Sequence, residues 1–348
     1  MHDHRSLALV GVASLVAAGF VAVVAPSMAS AAPAPGSVPG TFSSLTPTRL
    51  LDTRSALGGI APGPNGVVHL AVSGHGGVPA TGVAAVALNV TVTQPAAPGW
   101  VSVYADGDAA PTTSNLNFAA AQTVANLVVA KVGADGLVDL HNGSAGTTQL
   151  LADVSGYYLA GTATEPGTYT PVSPARVLDT RVNQGGGRLA EHGVERVKVA
   201  GVSGVPSDAA TVVLNVTATR EAAAGYLTVY GDGHPRPPAS NLNFARGSTT
   251  PNLVFALVGA AGQIDIYNGA PGATDVLVDV MGYIAAGASA ASGTLASLEP
   301  TRLLDTRRSF GGVAVASHGT LRLRVGGRGG VPVSQLRAVV LNVAVVGA

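Results

Sequence analysis

Three short stretches set charged residues in a fixed pattern. Arg49, Asp52 and Arg54 in "PTRLLDTR" return as Arg176, Asp179 and Arg181 in "PARVLDTR". They return again as Arg302, Asp305 and Arg307 in a second "PTRLLDTR". A carboxylate held between two guanidiniums stays ionised, which makes it a poor general acid. A single carboxylate is also not the pair that glycoside hydrolysis uses. Arginine rather than lysine at every flanking position suits planar, bidentate hydrogen bonding. The expected role is structural: a clasp that pins the opening strand of each unit, with Asp52 and Arg54 on one side of that strand. An anion or ligand site is the alternative.

A second constellation is Trp100, Ser102 and Tyr104, matched by Tyr226, Thr228 and Tyr230. Strand alternation places these opposite Val101, Val103, Leu227 and Val229. If the aliphatic residues face the core, an aromatic-hydroxyl-aromatic stripe faces outward and suits the faces and hydroxyls of sugars. Packing against a neighbouring strand or beneath a loop is the competing reading. Asn89, Asn115, Asn117 and Asn126 recur as Asn215, Asn241, Asn243 and Asn252. Their amides could read sugar hydroxyls, but bonds to turn backbone are the expectation. No metal site and no cofactor are expected. Asp108 and Asp135 are replaced by His234 and Ala261 in the second unit, and the histidines lack ligand spacing. His192 and His318, each before a glycine, read as turn residues. No nucleophile elbow, phosphate loop or H-E-x-x-H motif occurs.

These residues belong to an internal repeat. Asp52, Asp179 and Asp305 are spaced by 127 and 126 residues, as are "GVP" at Gly77, Gly204 and Gly330. "LNV" recurs at Leu88, Leu214 and Leu341, "SNLNF" at Ser114 and Ser240, and "NLV" at Asn126 and Asn252. So long a period marks domains rather than solenoid repeats. The expected order is a signal segment over 1–31, a linker over 32–45 and a first unit over 46–160. A linker over 161–171, a second unit over 172–286, a linker over 287–297 and a partial third unit over 298–348 follow. That third unit matches only the first three strands of the others, and a fragment of a longer chain is the favoured explanation.

Within a unit the hydrophobic period is two, as in "AVALNVTVT". Eight strands are expected in the first unit, beginning near Thr48, Val67, Ala84, Trp100, Ser114, Ala125, Leu137 and Gln149. The fold class is therefore all-β, with tandem antiparallel sandwiches of jelly-roll or immunoglobulin-like type. A β-trefoil is the alternative, on the recurring Gly-φ-φ-x-φ at Gly66, Gly99 and Gly136.

The 348-residue chain has no net charge, so nothing in it marks a nucleic-acid or anionic-membrane surface. It has no cysteine, and units of this size must hold by burial alone. "LALVGVASLVAAGFVAVV" followed by Ala29-Ser30-Ala31 reads as an export signal cleaved after Ala31, with an uncleaved anchor as the rival.

Taken in order, RLLDTR, GVP, LNVT, G-[WY]-φ-x-V-Y, SNLNF, NLV and DV-x-GY resemble a repeat module of secreted actinobacterial proteins, over residues 46 to 348. The resemblance implies an exported accessory or surface module, found in tandem or beside secreted hydrolases. It transfers no catalytic residue. The expectation is a secreted, non-catalytic array associated with the cell surface or wall. Its partner would be a polysaccharide or wall polymer, with no nucleic acid and no membrane once the signal is removed. A purely structural stalk, or an accessory region of a longer hydrolase, is the alternative.

Overall fold

A computed structural model describes residues 38–288 and 291–345. The expected export segment lies outside the described residues. The first module has eight strands: β1 (Phe42–Asp52), β2 (Val67–Ala71), β3 (Val83–Thr93), β4 (Gly99–Ala105), β5 (Leu116–Phe118), β6 (Val124–Lys131), β7 (Leu137–Asn142) and β8 (Gln149–Leu159). The second repeats them: β9 (Tyr169–Asp179), β10 (Val194–Lys198), β11 (Thr211–Thr219), β12 (Gly225–Gly231), β13 (Leu242–Phe244), β14 (Thr249–Leu257), β15 (Gln263–Asn268) and β16 (Asp275–Ile284). The opening strands start at Phe42 and Tyr169, inside the segments read as linkers. Glycine-bearing "GTF" and "GTY" look like turn material, but the residues after them pair directly with the last strand of the sheet.

Pairing order settles the sandwich type. One sheet runs β1-β8-β3-β6 and the other β2-β7-β4-β5, all antiparallel. The second module has β9-β16-β11-β14 and β10-β15-β12-β13. The chain thus passes from sheet to sheet as in a jelly roll, rather than as in the immunoglobulin order. The trefoil alternative fails as well. Gly66, Gly99 and Gly136 stand at the starts of β2, β4 and β7, which share one sheet instead of opening three separate hairpins.

The elements follow from local chemistry. Val86, Leu88, Val90 and Val92 alternate into the sandwich and are fully buried, as are Val101 and Val103 from the facing sheet. Pro47 falls where the β1–β8 register slips between Ser44 and Thr48, and Pro171 and Pro174 lie in the irregular half of β9. Both strands are sheet edges, where a missing ladder donor is tolerated.

Among the described residues, 298–345 form no ladder. A short 3-10 turn at Thr306–Arg308 and a bridge between Asp305 and Phe310 are the regular features there. The three strands expected in this unit are not formed among the described residues.

The outer faces of the two first sheets pack on each other. Ala85, Val129 and Tyr158 of module one meet Tyr169, Val213, Met281 and Ile284 of module two in a shared apolar cluster, with Phe42 and Leu295 at its margin. Tyr158 and Tyr169 lie 4.4 Å apart by ring centroid, and Phe42 and Tyr158 lie 5.0 Å apart. Three equivalent hydrogen bonds join the units in a circle. Tyr169 N–H donates to the Gly40 carbonyl (2.8 Å), Leu295 N–H to Gly167 (2.7 Å), and Phe42 N–H to Gly293 (2.7 Å). Each unit's opening segment therefore touches the next, and the third returns to the first: the units surround a pseudo-three-fold axis.

Candidate functional site

The arginine clasp is built as a cross-strand device. Arg54 grips Asp52 with Nε (2.8 Å) and Nη2 (2.6 Å), and Asp52 Oδ1 also accepts the Arg54 N–H (3.2 Å). Arg49 contacts Asp52 (3.4 Å) and forks onto Asp153 through Nε (2.8 Å) and Nη2 (3.1 Å). Arg176, Asp179, Arg181 and Asp279 repeat this in module two. The Arg54 hydrogen bonds hold the Asp52 carboxyl at about 2, below the usual carboxylate range. In the third unit Arg302 and Arg307 grip Asp305, whose pKa is also lowered, and Arg302 Nη2 donates to the Pro238 carbonyl (3.3 Å) where Arg49 and Arg176 meet an aspartate. One expectation changes. β1 ends at Asp52, so Arg54 lies in the turn beyond it and reaches back, rather than sharing a strand face. The residues missed from sequence are Asp153 and Asp279. Both stand in the recurring "DV-x-GY" string, opposite Arg49 and Arg176 in the ladder.

The aromatic stripe does not face solvent as expected. Ser102, Tyr104, Thr228 and Tyr230 are buried. The Ser102 hydroxyl donates to the Thr113 carbonyl and Thr228 to the Ala239 carbonyl (3.1 Å), so the loop preceding β5 or β13 covers this part of the sheet. Trp100 and Tyr226 remain half-buried. Each lies against a glycine after β7 or β15: a Cβ on Gly143 would enter the Trp100 indole, and one on Gly269 the Tyr226 ring. Asn117 stands directly opposite Trp100 in the ladder, and Asn243 opposite Tyr226. Trp100 meets His141 edge-on at 5.1 Å. Tyr226 neighbours Tyr267 at 6.2 Å, and Tyr267 carries the Arg236 guanidinium 3.8 Å above its ring. These patches lie on the second sheets, and Tyr226 and Asn243 also border the cleft between the second and third units.

The same outer face carries a charge cluster. His69 Nδ1 is 2.6 Å from Asp106 Oδ2 and 2.7 Å from Asp139 Oδ1. The Asp106 hydrogen bond, with the charge of Asp139, raises the His69 pKa, while burial raises that of Asp139. Among the described residues this group has donor atoms close enough to hold a metal ion. Sequence spacing hid it, because β2, β7 and the turn after β4 supply one side chain each. In module two the same place holds Arg196, bonded to Asp232 (2.9 Å) and Asp265 (3.3 Å). A side-chain cation thus matches the carboxylate pair in both modules, which favours charge pairing over a resident metal.

The asparagines mostly organise backbone, and several do so between modules. Asn115 Oδ1 accepts the Val103 N–H (2.6 Å), and Asn241 Oδ1 accepts that of Val229 (2.7 Å). Asn126 donates to the Asn215 side chain across the module boundary (3.1 Å), and Asn215 donates to the Ser114 carbonyl (2.6 Å). The turn role expected for this set is therefore replaced by strand-edge and boundary roles. Glu221 is a further buried carboxyl, pushed up to about 7 by burial. Its Oε1 accepts a hydrogen bond from the Ser248 hydroxyl (3.3 Å).

No family model and no curated protein matches the chain. Among solved structures, it is similar to the major capsid protein P2 of bacteriophage PM2, at 12% identity, TM-score 0.31, and 70% coverage of this chain and 97% of that one. It is also similar to the N-terminal CBM22-1-CBM22-2 tandem domain of Paenibacillus barcinonensis Xyn10C, at 12% identity, TM-score 0.20, and 68% and 98% coverage. The all-β jelly-roll class rests on the strand order described above. Among the described residues, no helix is long and apolar enough to cross a membrane.

Proposed function

We propose that the chain is a secreted, non-catalytic array of jelly-roll modules that binds a glycan at the cell surface or wall. One observation carries the reading. Each complete module presents a half-buried aromatic ring, Trp100 or Tyr226, backed by a glycine and faced across the ladder by an asparagine, Asn117 or Asn243. A ring takes the apolar face of a sugar, and an amide both donates to and accepts from its hydroxyls. Two such patches on one chain raise affinity for a repetitive polymer beyond that of either alone. The export signal read over residues 1–31 and the resemblance to secreted repeat modules support the location. The second reading, a structural scaffold, draws on the asparagine and tyrosine contacts that join the modules.

The test is retention on insoluble cell wall, chitin and cellulose. Trp100→Ala and Tyr226→Ala should each weaken retention about tenfold, and the double variant should lose it, with melting temperatures preserved. Unchanged retention by the double variant removes the glycan reading and leaves the scaffold.

A further inference from the structure

The boundary between modules one and two is repeated between module two and the third unit. Asn126 donates to Asn215 (3.1 Å), and Asn252 donates to Asn342 (3.2 Å). Asn215 donates to the Ser114 carbonyl (2.6 Å), and Asn342 to that of Ser240 (2.7 Å). Inside their own modules, Asn126 and Asn252 also donate to the Asn115 and Asn241 carbonyls (2.8 and 2.6 Å). The two boundaries are thus one heterologous, head-to-tail contact used twice.

Two places break the match. Asn126 Oδ1 accepts the N–H of Leu253 from the next module's Asn-Leu-Val strand (3.3 Å). The equivalent Asn252 Oδ1 is buried and has no hydrogen-bond partner. A buried acceptor left unmade is costly and calls for an explanation. The second place is Asn89, the counterpart of Asn215 and Asn342, which has no asparagine opposite it among the described residues. Asn252 and Leu127, the residue paired with Asn89 in the ladder, border one opening. A cleft of about 2970 Å³, bordered by all three units, is lined by Leu127, Asn252 and Leu341 among others. That volume exceeds the roughly 300–1,000 Å³ of small-molecule pockets.

We propose that this opening seats the second half of a further module of the same repeat. That half-module carries the Ser-Asn-Leu-Asn-Phe and Asn-Leu-Val strands. The N–H after its Asn-Leu-Val asparagine bonds Asn252 Oδ1. The asparagine itself bonds Asn89, whose amide in turn donates to the carbonyl of the half-module's serine. The same half-module supplies sheet partners to residues 298–345. The head-to-tail contact then occurs three times, and the ring already closed at Gly40, Gly167 and Gly293 is closed at its rim as well.

The experiment joins residues 222–288, which carry these strands, behind Ala348 and compares hydrogen exchange with the 348-residue chain. The expected result is about tenfold slower exchange in 85–93 and 124–131 of module one. Slowing confined to 298–345 and the added segment, or no slowing, overturns the proposal. A second measurement needs no fusion. In the 348-residue chain, Asn126→Ala should lower the melting temperature more than Asn252→Ala, because only Asn126 bonds the next strand. Equal losses overturn the equivalence on which the proposal stands.

Discussion

At the scale of the residue, His69 and Arg196 solve one problem in two ways. Each sits between two aspartates, but only His69 can lose its charge. Its pKa is raised in the folded state, so the stabilisation is complete below the unfolded value of 6.5 and is lost as pH rises through the folded one. Melting temperature should therefore decline as pH rises above about 6.5, and His69→Arg should flatten that decline. An unchanged slope in the variant would show that the cluster does not contribute. The cluster was illegible in the sequence: His69 is 37 residues from Asp106, and no spacing rule links them. The repeat held a clue, because Arg196 occupies the position equivalent to His69 while both aspartates recur.

At the scale of the element, the clasp ties the first strand of a sheet to the last. Arg176 and Asp279 have side chains 14% and 1% exposed, against 42% and 23% for Arg49 and Asp153. Removing one partner of a buried pair costs about 3–5 kcal/mol, while an exposed pair contributes up to about 1 kcal/mol. Denaturant unfolding should show Asp279→Ala to be far more damaging to module two than Asp153→Ala is to module one. Equal losses would mean that burial does not set the strength of the fork. Strands were the legible level. Alternation placed all eight in module one, because each must bury Val, Leu or Ile on one face. Alternation also assigned Trp100, Ser102 and Tyr104 to the outer face. It could not show that the loop before β5 folds over Ser102 and Tyr104, since that loop is held by single hydrogen bonds to backbone and leaves no periodic trace.

At the scale of the whole molecule, the modules are joined by an apolar cluster rather than strung on linkers. Tyr169 is fully buried and its hydroxyl donates to the Met281 carbonyl (3.0 Å), with Tyr158 and Val213 beside it. Calorimetry should find modules one and two melting as one cooperative transition. Val213→Asp, which buries an unpaired charge at the boundary, should split that transition or lower it sharply. Independent transitions in the unaltered chain would contradict the packing. The sequence concealed this boundary because "GTATEPGTYT" has the composition of a flexible linker. Its tyrosine is an anchor in the shared cluster, and the asparagines of "LNV" and "NLV" serve the neighbouring module.

The arrangement around Gly40, Gly167 and Gly293 also makes one small hub answer for every unit. The described chain enters at Val38, whose carbonyl accepts the Thr41 N–H beside this hub. The cleft beside it reaches as far as Tyr226 and Asn243. Strain placed on any one of these three segments is therefore shared by all the units, because each segment is hydrogen-bonded to the other two.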